Sequence, residues 1–517
     1  MTPPVPGARA TRREWIGLAV IALPCLLYSM DLTVLNLALP ALSTDLQPSS
    51  SQLLWILDIY GFRVAGAPIP MGALGDRIGR RRLLMIGAAA FGVCSVLAAF
   101  ASSAGMLIAM RALLGLAGAT LAPATLSLIR NMFLDDRERT LAIGIWVSSY
   151  SVGAAIGPVV GGALLEFFWW GSVFLVAVPI MVLLLAIGPL LLPEFRDPGA
   201  SRADVPSALL SLAAVLSTIY GLKQLAEHGL GLAPLLFVVA GVGLGSVFVR
   251  RQRRLADPLI DLRLFRVPAF SASLATYTLG CFAMFGVYVF IGQYLQLVLG
   301  MSPLRAGLWT VPWAGAFIVG SMLTPALARR YRPADVVTGG LALATLGFGG
   351  LTQTAAAQGV GVVVGATIVM SLGLAPVFTL ATDLIIGAAP PERAGAAAAI
   401  SETSAELGGA LGIAVFGSIG TAVYRALVFD SAPSGLPPGA MDAARDTLGA
   451  ATATAADLPA AMGAALADAA RAAFTRALQV AALVATLVMG GTALLAALVL
   501  RTPRGTPAVT VDGSSSP

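Results

Sequence analysis

Gly72-Ala-Leu-Gly-Asp-Arg-Ile-Gly-Arg-Arg-Arg82 decides how this chain is read. Four arginines and one aspartate form a turn between an apolar stretch at 52–74 and an uncharged one at 83–110. Gly72 and Gly79 permit close backbone approach and a tight turn, and Asp76 can bond a neighbouring helix end or an arginine and lock one conformation. Positive charge alone, as in any loop on the cytoplasmic side of a membrane, accounts for the arginines but not for Asp76 or the glycines.

The rest of the chain has the composition such a turn needs. Of 517 residues, 57% are hydrophobic and only 11% charged, against roughly 25% charged in a soluble domain. The uncharged runs 83–110, 140–165, 167–193, 267–304, 336–382 and 477–500 are each long enough to cross a bilayer, at about 20 residues per crossing. Disorder is excluded for most of the chain by its hydrophobicity, and a barrel of alternating strands by the length of the runs. The net charge of +6 does not indicate a nucleic-acid partner, because the basic residues lie between apolar segments and not on one soluble face. Cys25, Cys94 and Cys281 all fall inside apolar runs, which argues against a disulfide framework or a metal site. Arg9, Arg12 and Arg13 mimic the start of a signal peptide, but Asp31 interrupts the following run, so an uncleaved first helix is expected.

Spans are predicted near 15–39, 52–74, 83–101, 105–129, 140–165, 171–193, 205–226, 231–249, 268–298, 304–328, 334–355, 359–388, 395–424 and 476–500, fourteen in all. The basic residues test this count. With both termini cytoplasmic, 24 of the 32 fall in cytoplasmic segments, six fall outside, and Arg63 and Arg111 remain within spans. The one long outer loop, 425–475, is Ala-rich with prolines at 437, 438 and 459, and is expected to form a small helical hairpin. The tail after Arg504 reads as disordered. Thr324-Pro-Ala-Leu-Ala-Arg-Arg-Tyr-Arg332 weakly repeats the turn at 72–82. The repeat suggests two six-helix halves with a binding site between them, a transporter pattern.

Residues 72–81 resemble the major facilitator superfamily loop signature G-x-L-x-D-R-x-G-R-R, at the position that family gives it. Three further stretches are similar to motifs of its fourteen-helix drug:proton antiporter branch: Asp31-Leu-Thr-Val-Leu-Asn-Leu-Ala-Leu-Pro40, Arg111-Ala-Leu-Leu-Gly115, and Gly153-Ala-Ala-Ile-Gly-Pro-Val-Val-Gly-Gly162. With Trp55–Tyr60, Ala389–Gly395 and Glu402–Gly408, the whole chain apart from 425–475 and the tail resembles QacA-type multidrug efflux transporters. The resemblance implies an all-α integral membrane protein of the major facilitator fold. It would comprise a cytoplasmic tail (1–14), a six-helix half (15–193), two inserted central helices with flanking loops (194–267), a second six-helix half (268–500) and a cytoplasmic tail (501–517). It also implies export of lipophilic or cationic drugs across the bacterial cytoplasmic membrane in exchange for protons, by a functional monomer in contact with membrane lipids. One departure is that 306–328 lacks the acidic residue some members carry there.

Independently of the family, ionisable groups within spans cost about 2.5–3.5 kcal/mol each on insertion scales and so mark functional sites. Asp31, Asp58, Arg63, Arg111, Asp383, Glu402 and Glu406 are such groups. Five acids against two bases suit a cavity that attracts cations and exchanges protons. Proton coupling is expected at Asp31 and at Glu402, and the superfamily resemblance, which packs the first and fourth spans in the same half, implies that Arg111 tunes Asp31. Cation attraction is expected at Asp58 and at Glu406, four residues from Glu402 and on the same helix face. Trp55, Tyr60, Phe285, Tyr288, Trp309 and Trp313 are the candidate aromatic contacts for flat cations, with Trp146, Phe282 and Phe378 as further ones. Conformational roles are expected for Gly72, Asp76, Arg77, Gly79 and Arg80, and for Gly153, Gly157, Pro158, Gly161 and Gly162, whose spacing lets helices touch closely. Arg63 and Asp383 receive no role. No nucleophile–base pair, metal cluster or phosphate loop occurs in the sequence, so neither an enzyme, a cofactor nor ATP drive is expected. A dedicated exporter of one natural antibiotic or lipid-like metabolite is the alternative to a multidrug exporter.

Overall fold

The computed structural model describes residues 9–46, 48, 52, 55, 56, 59, 67–196, 204–228, 231–255, 258–301, 303–355, 360–390, 394–433, 436, 437 and 439–499. Among them there is no strand, and twelve helices are long and apolar enough to cross a membrane. An all-helical answer follows from the apolar runs, because a helix satisfies every backbone polar group within its own segment. Leu346, Leu487 and Leu498 are 69%, 67% and 65% exposed, part of an apolar outer surface suited to lipid and not to water.

The first helices are α1 (Arg12–Leu46), α2 (Pro68–Ile78), α3 (Arg80–Ala99), α4 (Ala104–Gly118), α5 (Leu121–Met132), α6 (Asp136–Phe167), α7 (Ser172–Leu175) and α8 (Ala177–Leu191). The expected fourth span, 105–129, is therefore broken between α4 and α5. At the break the Thr120 hydroxyl donates to the Ala117 carbonyl at 2.7 Å, and Pro123 stands in the first turn of α5, where its missing N–H costs nothing. In the expected second span, 52–74, residues 53, 54, 57, 58 and 60–66 lie outside the described residues.

Next come α9 (Val205–His228) and α10 (Leu232–Gln252), a hairpin that packs on itself and lays α9 against α2 and a later helix, α15 (Ala394–Ser431). The apolar part of α9 is Pro206–Leu222. The remaining helices are α11 (Pro268–Gln293), which ends in a π turn at Tyr294–Val298, α12 (Pro303–Arg330), α13 (Pro333–Leu351), α14 (Gly361–Gly387), α15, the short α16 (Ala440–Asp446) and α17 (Leu448–Ala456), and α18 (Ala460–Val499). The 425–475 segment is thus largely helical. It consists of extensions of α15 and α18 with α16 and α17 between them, pinned where the Tyr424 hydroxyl donates to the Ala444 carbonyl at 3.0 Å. The tail beyond residue 499 is outside the described residues.

Glycines form close seams in two of the helix pairs. Gly153 of α6 sits against the Leu26 backbone of α1, and a Cβ at Gly161 would come within 2.9 Å of Val34. In the second pair, Gly408 and Gly412 of α15 sit against the backbone of Thr278 and Phe282 on α11. The earlier helices meet the later ones through α2 and α5 on α15, and through α6 on α12 and α14.

Candidate functional site

The buried charges come together in three places. Deep in the first helices, Arg111 of α4 is 1% exposed, and its Nη1 donates to Asp31 Oδ2 of α1 at 2.6 Å. Its Nε donates to the Ile56 carbonyl at 3.1 Å, and the guanidinium stands 5.9 Å from the Phe174 ring. One cation therefore ties α1, the segment around Ile56 and the α7 aromatic, and Asp31 supplies a carboxylate to its charge. Asp31 retains some exposure, its side chain being 17% accessible.

The second place lies where α15 faces the earlier helices. Glu402 and Glu406 line a small cavity, about 10 Å³ and room for roughly one water, together with Cys25 and Tyr28 of α1, Pro68 of α2 and Tyr150 of α6. The Tyr28 hydroxyl donates to Glu406 Oε1 at 3.1 Å. From the start of α15 the two glutamates lie roughly 12 and 18 Å along the axis, which is mid-depth and not the helix end. Tyr28 packs edge-on against Tyr150 at 5.7 Å, and Trp146 against Tyr150 at 4.9 Å. Trp146 is in turn fixed by donating to Thr125 Oγ1 at 3.0 Å. The result is an aromatic wall beside two carboxylates.

The predicted aromatics are placed differently. Trp55 stacks on Tyr220 of the α9–α10 hairpin, with centroids 6.5 Å apart and planes 9° from parallel. Tyr288 contacts Trp313 at 5.0 Å, Phe285 covers Gly409, and Phe285, Tyr288 and Trp309 are partly exposed. None of these five lines the cavity with the glutamates. Asp58, Tyr60 and Arg63 lie outside the described residues, as does the Pro158 side chain.

The third place is the arginine-rich face, where the earlier and later helices are sealed together. Gly72 of α2 meets α15 so closely that a Cβ there would come within 2.6 Å of the Gly395 carbonyl and 2.8 Å of Ala399. The Asp76 carboxylate sits directly against Gly395 in the first turn of α15, where the helix dipole favours an anion. Asp76 also accepts from Arg80 at 2.5 Å, and Arg80 is 1% exposed. Gly79 has φ +106°, a conformation that favours glycine. It turns the chain so that the Arg80 amide donates to the Phe195 carbonyl at 3.0 Å and Arg81 reaches the carbonyls of Pro189 and Leu192. Arg77 forms no ion pair among the described residues. In the α1–α6 seam Gly153 and Gly161 make contacts, whereas Gly162 faces open space.

Sequence reasoning missed three things. The first is a buried link between α6 and α14: Arg139 Nε donates to Asp383 Oδ1 at 2.6 Å, and the Thr140 hydroxyl donates to Asp383 Oδ2 at 2.8 Å. Asp383 was legible as an intramembrane acid, but its partner stands 244 positions away at the start of a helix. The second is the Gly408–Gly412 seam, whose spacing of four was present in the sequence. The third is the Tyr28–Tyr150 wall, which had no signal beyond two tyrosines within spans.

Comparison with known proteins places this geometry. The Major Facilitator Superfamily pattern matches residues 21–413. The multidrug efflux pump LfrA of Mycolicibacterium smegmatis is 45% identical over 481 residues, 93% of this chain and 95% of its own length. The methyl viologen resistance protein SmvA of Salmonella typhimurium is 37% identical over 467 residues, 89% of this chain and 93% of its own. Among solved structures, the human organic anion transporter MFSD10 (TETRAN) aligns with a TM-score of 0.61 at 16% identity, covering 92% of this chain and 99% of its own. At that identity the likeness concerns the fold alone.

Proposed function

The chain belongs to the major facilitator superfamily, and from that premise we propose that it is a proton-coupled antiporter exporting lipophilic and cationic small molecules, such as quaternary ammonium compounds, dyes and antibiotics, by alternating access. The observation that carries this reading is the cavity in which Glu402 and Glu406 face Tyr28 and Tyr150 across the boundary between earlier and later helices. Relatives named a multidrug efflux pump and a methyl viologen resistance protein support the substrate class. A dication is accommodated without an acid in α12, because two carboxylates one turn apart already stand on α15.

In this reading Asp31 carries the proton. Charged, it holds Arg111, which in turn holds the Ile56 carbonyl; neutralised, it frees the guanidinium and loosens the segment that contains Trp55 and Asp58. Glu402 and Glu406 take the cation or a proton in competition, and the ring of Tyr28 or Tyr150 covers the cation's face. The seals at Asp76–Gly395 and Arg139–Asp383 form the cytoplasmic gate, shut here, so the small central cavity belongs to the state that has released its cargo outward. The glycine seams α1–α6 and α11–α15 are the surfaces on which helices slide.

The same reading has fourteen spans, the described twelve together with 52–74 and 206–222, arranged as halves 15–193 and 268–500 around an inserted pair. It places both termini in the cytoplasm of a bacterium and takes the monomer as the working unit. The test uses purified protein in proteoliposomes with a pH-sensitive dye inside and ethidium or methyl viologen added outside. Proton movement opposite to drug, abolished by an uncoupler, is expected. Drug movement indifferent to the pH gradient would remove the antiport mechanism, and movement of only one chemical class would favour a dedicated exporter.

A further inference from the structure

We propose that the α9–α10 hairpin and α2 form a binding site for an anionic phospholipid at the arginine-rich face. Two adjoining cavities share Arg253. The first, about 510 Å³, is an apolar crevice between α2, α9 and α10, lined by Ile69, Ala214, Val215, Val242 and Val249, with Arg250 and Arg253 at its mouth. The second, about 750 Å³, continues from Arg253 toward Arg263 and Arg266 beneath the 255–266 linker.

Each part of such a lipid has a counterpart. Residues 250–266 carry six arginines against Asp257 and Asp261. Only Arg251 among the six is tied by an acid among the described residues, Asp204 at 2.8 Å, so Arg250, Arg253, Arg254, Arg263 and Arg266 remain exposed for a phosphate. Below them, only 17% of the most apolar stretch of α10 is buried inside the protein, and Val239 and Val242 are 65% and 59% exposed. The crevice therefore opens onto membrane, where an acyl chain is the available filler. Phe265 and Val267, 42% and 41% exposed beside the arginines, fit the interfacial level. A basic pocket between membrane helices on one face is the arrangement that holds acidic lipid headgroups. The exported cation class is excluded from it by charge, so this site is separate from the glutamate cavity and does not depend on the transport reading.

Full-length protein in detergent is titrated with phosphatidylglycerol, with phosphatidylcholine of the same acyl chains and with glycerol phosphate, and bound species are read by native mass spectrometry. Phosphatidylglycerol is expected to bind at least about tenfold tighter than phosphatidylcholine, and glycerol phosphate, lacking chains, to fail. Arg250→Gln with Arg253→Gln should weaken phosphatidylglycerol by about thirtyfold, roughly fivefold per arginine. Gly245→Leu fills the crevice beside Ala214, whose Cβ lies 3.9 Å from a Cβ built at 245, and should weaken the lipid with every arginine in place. Arg329→Gln with Arg330→Gln, on the same face but on α12, should leave it unchanged. Equal affinity for phosphatidylcholine, tight binding of glycerol phosphate, or an unchanged affinity in the Arg250/Arg253 variant would each overturn the proposal.

Discussion

Replacing Asp383 by Asn is expected to open the arginine-rich face. The Asp383 carboxylate receives Arg139 Nε at 2.6 Å and the Thr140 hydroxyl at 2.8 Å, and the two charged side chains are only 10% and 11% exposed. Asn keeps the shape and an acceptor for Thr140 but leaves the guanidinium without its buried counter-charge. Asp136 also reaches Arg139, at 2.9 Å, but its side chain is 87% exposed, so water screens it and it does not substitute. Removing one partner of a buried pair costs about 3–5 kcal/mol. When α6 and α14 separate, both groups reach water and that cost disappears, so the loss falls on the closed state alone. At the lower figure, about 3 kcal/mol, the closed-to-open ratio drops about a hundredfold. Spin labels at Arg137 and Arg332, both exposed and on opposite sides of this closure, report the change by double electron–electron resonance. The long-distance population should grow in Asp383→Asn and in Arg139→Gln, and the double variant should fall well short of the sum of the two. An unchanged distance distribution in Asp383→Asn, or strict additivity in the double variant, would refute the reasoning.

Asp31→Asn should leave drug binding measurable while proton movement in proteoliposomes disappears; drug-driven proton flux at the wild-type rate would exclude Asp31 from coupling. Gly153→Val drives a side chain into the Leu26 backbone and should lower the thermal midpoint by several degrees, while Gly162→Ala, with open space around it, should stay within about 0.5 kcal/mol of wild type; equal effects would break the seam assignment. Burial works against the Asp204 carboxylate, but hydrogen bonds from Arg251 and Ser207 hold it below its usual range. Its contribution is therefore fully present above the unfolded value near 3.9 and lost as pH falls through the lower folded value. Asp204→Asn should reduce stability at pH 7 and flatten the acid limb of the pH–stability curve in a detergent unfolding assay, and a parallel shift at all pH would contradict it.

The fold was legible because membrane helices announce themselves by what they lack. Uncharged runs set the helices, and the arginines of 72–82 and 250–266 collect on one face for the same electrostatic reason. Two pairings were also legible: Asp76 with the turn that follows it, from a short motif, and Asp31 with Arg111, from the helix packing that the family resemblance implies. What escaped was partner choice between distant helices. Arg139 reads as a loop arginine until α6 is set beside α14, and Glu402 and Glu406 reveal no cavity until Tyr28 and Tyr150 arrive from two other helices. The aromatics near Trp309 show the same limit from the other side, since hydropathy places a residue at a depth but not on a face. Where backbone meets backbone, as at Gly153 or Gly412, glycine spacing does encode the face, which is why the seams were recoverable in principle.

The two seals on the arginine-rich face differ in what crosses the boundary. At α2–α15 the crossing contacts among the described residues include glycine on glycine and a carboxylate on a helix N-terminus, and Asp76 also has its Arg80 partner within its own turn. Separation there forfeits that packing and a dipole interaction of about 0.3–2 kcal/mol. At α6–α14 the charge pair itself spans the boundary, so separation breaks it and both ions must be rehydrated. In the proposed alternating-access cycle, α6–α14 is therefore the seal whose opening must rehydrate a charge pair. The helix that meets Gly72 and Asp76, α15, is also the one that carries Glu402 and Glu406, so in that cycle a change in their occupancy acts directly on the α2–α15 seal.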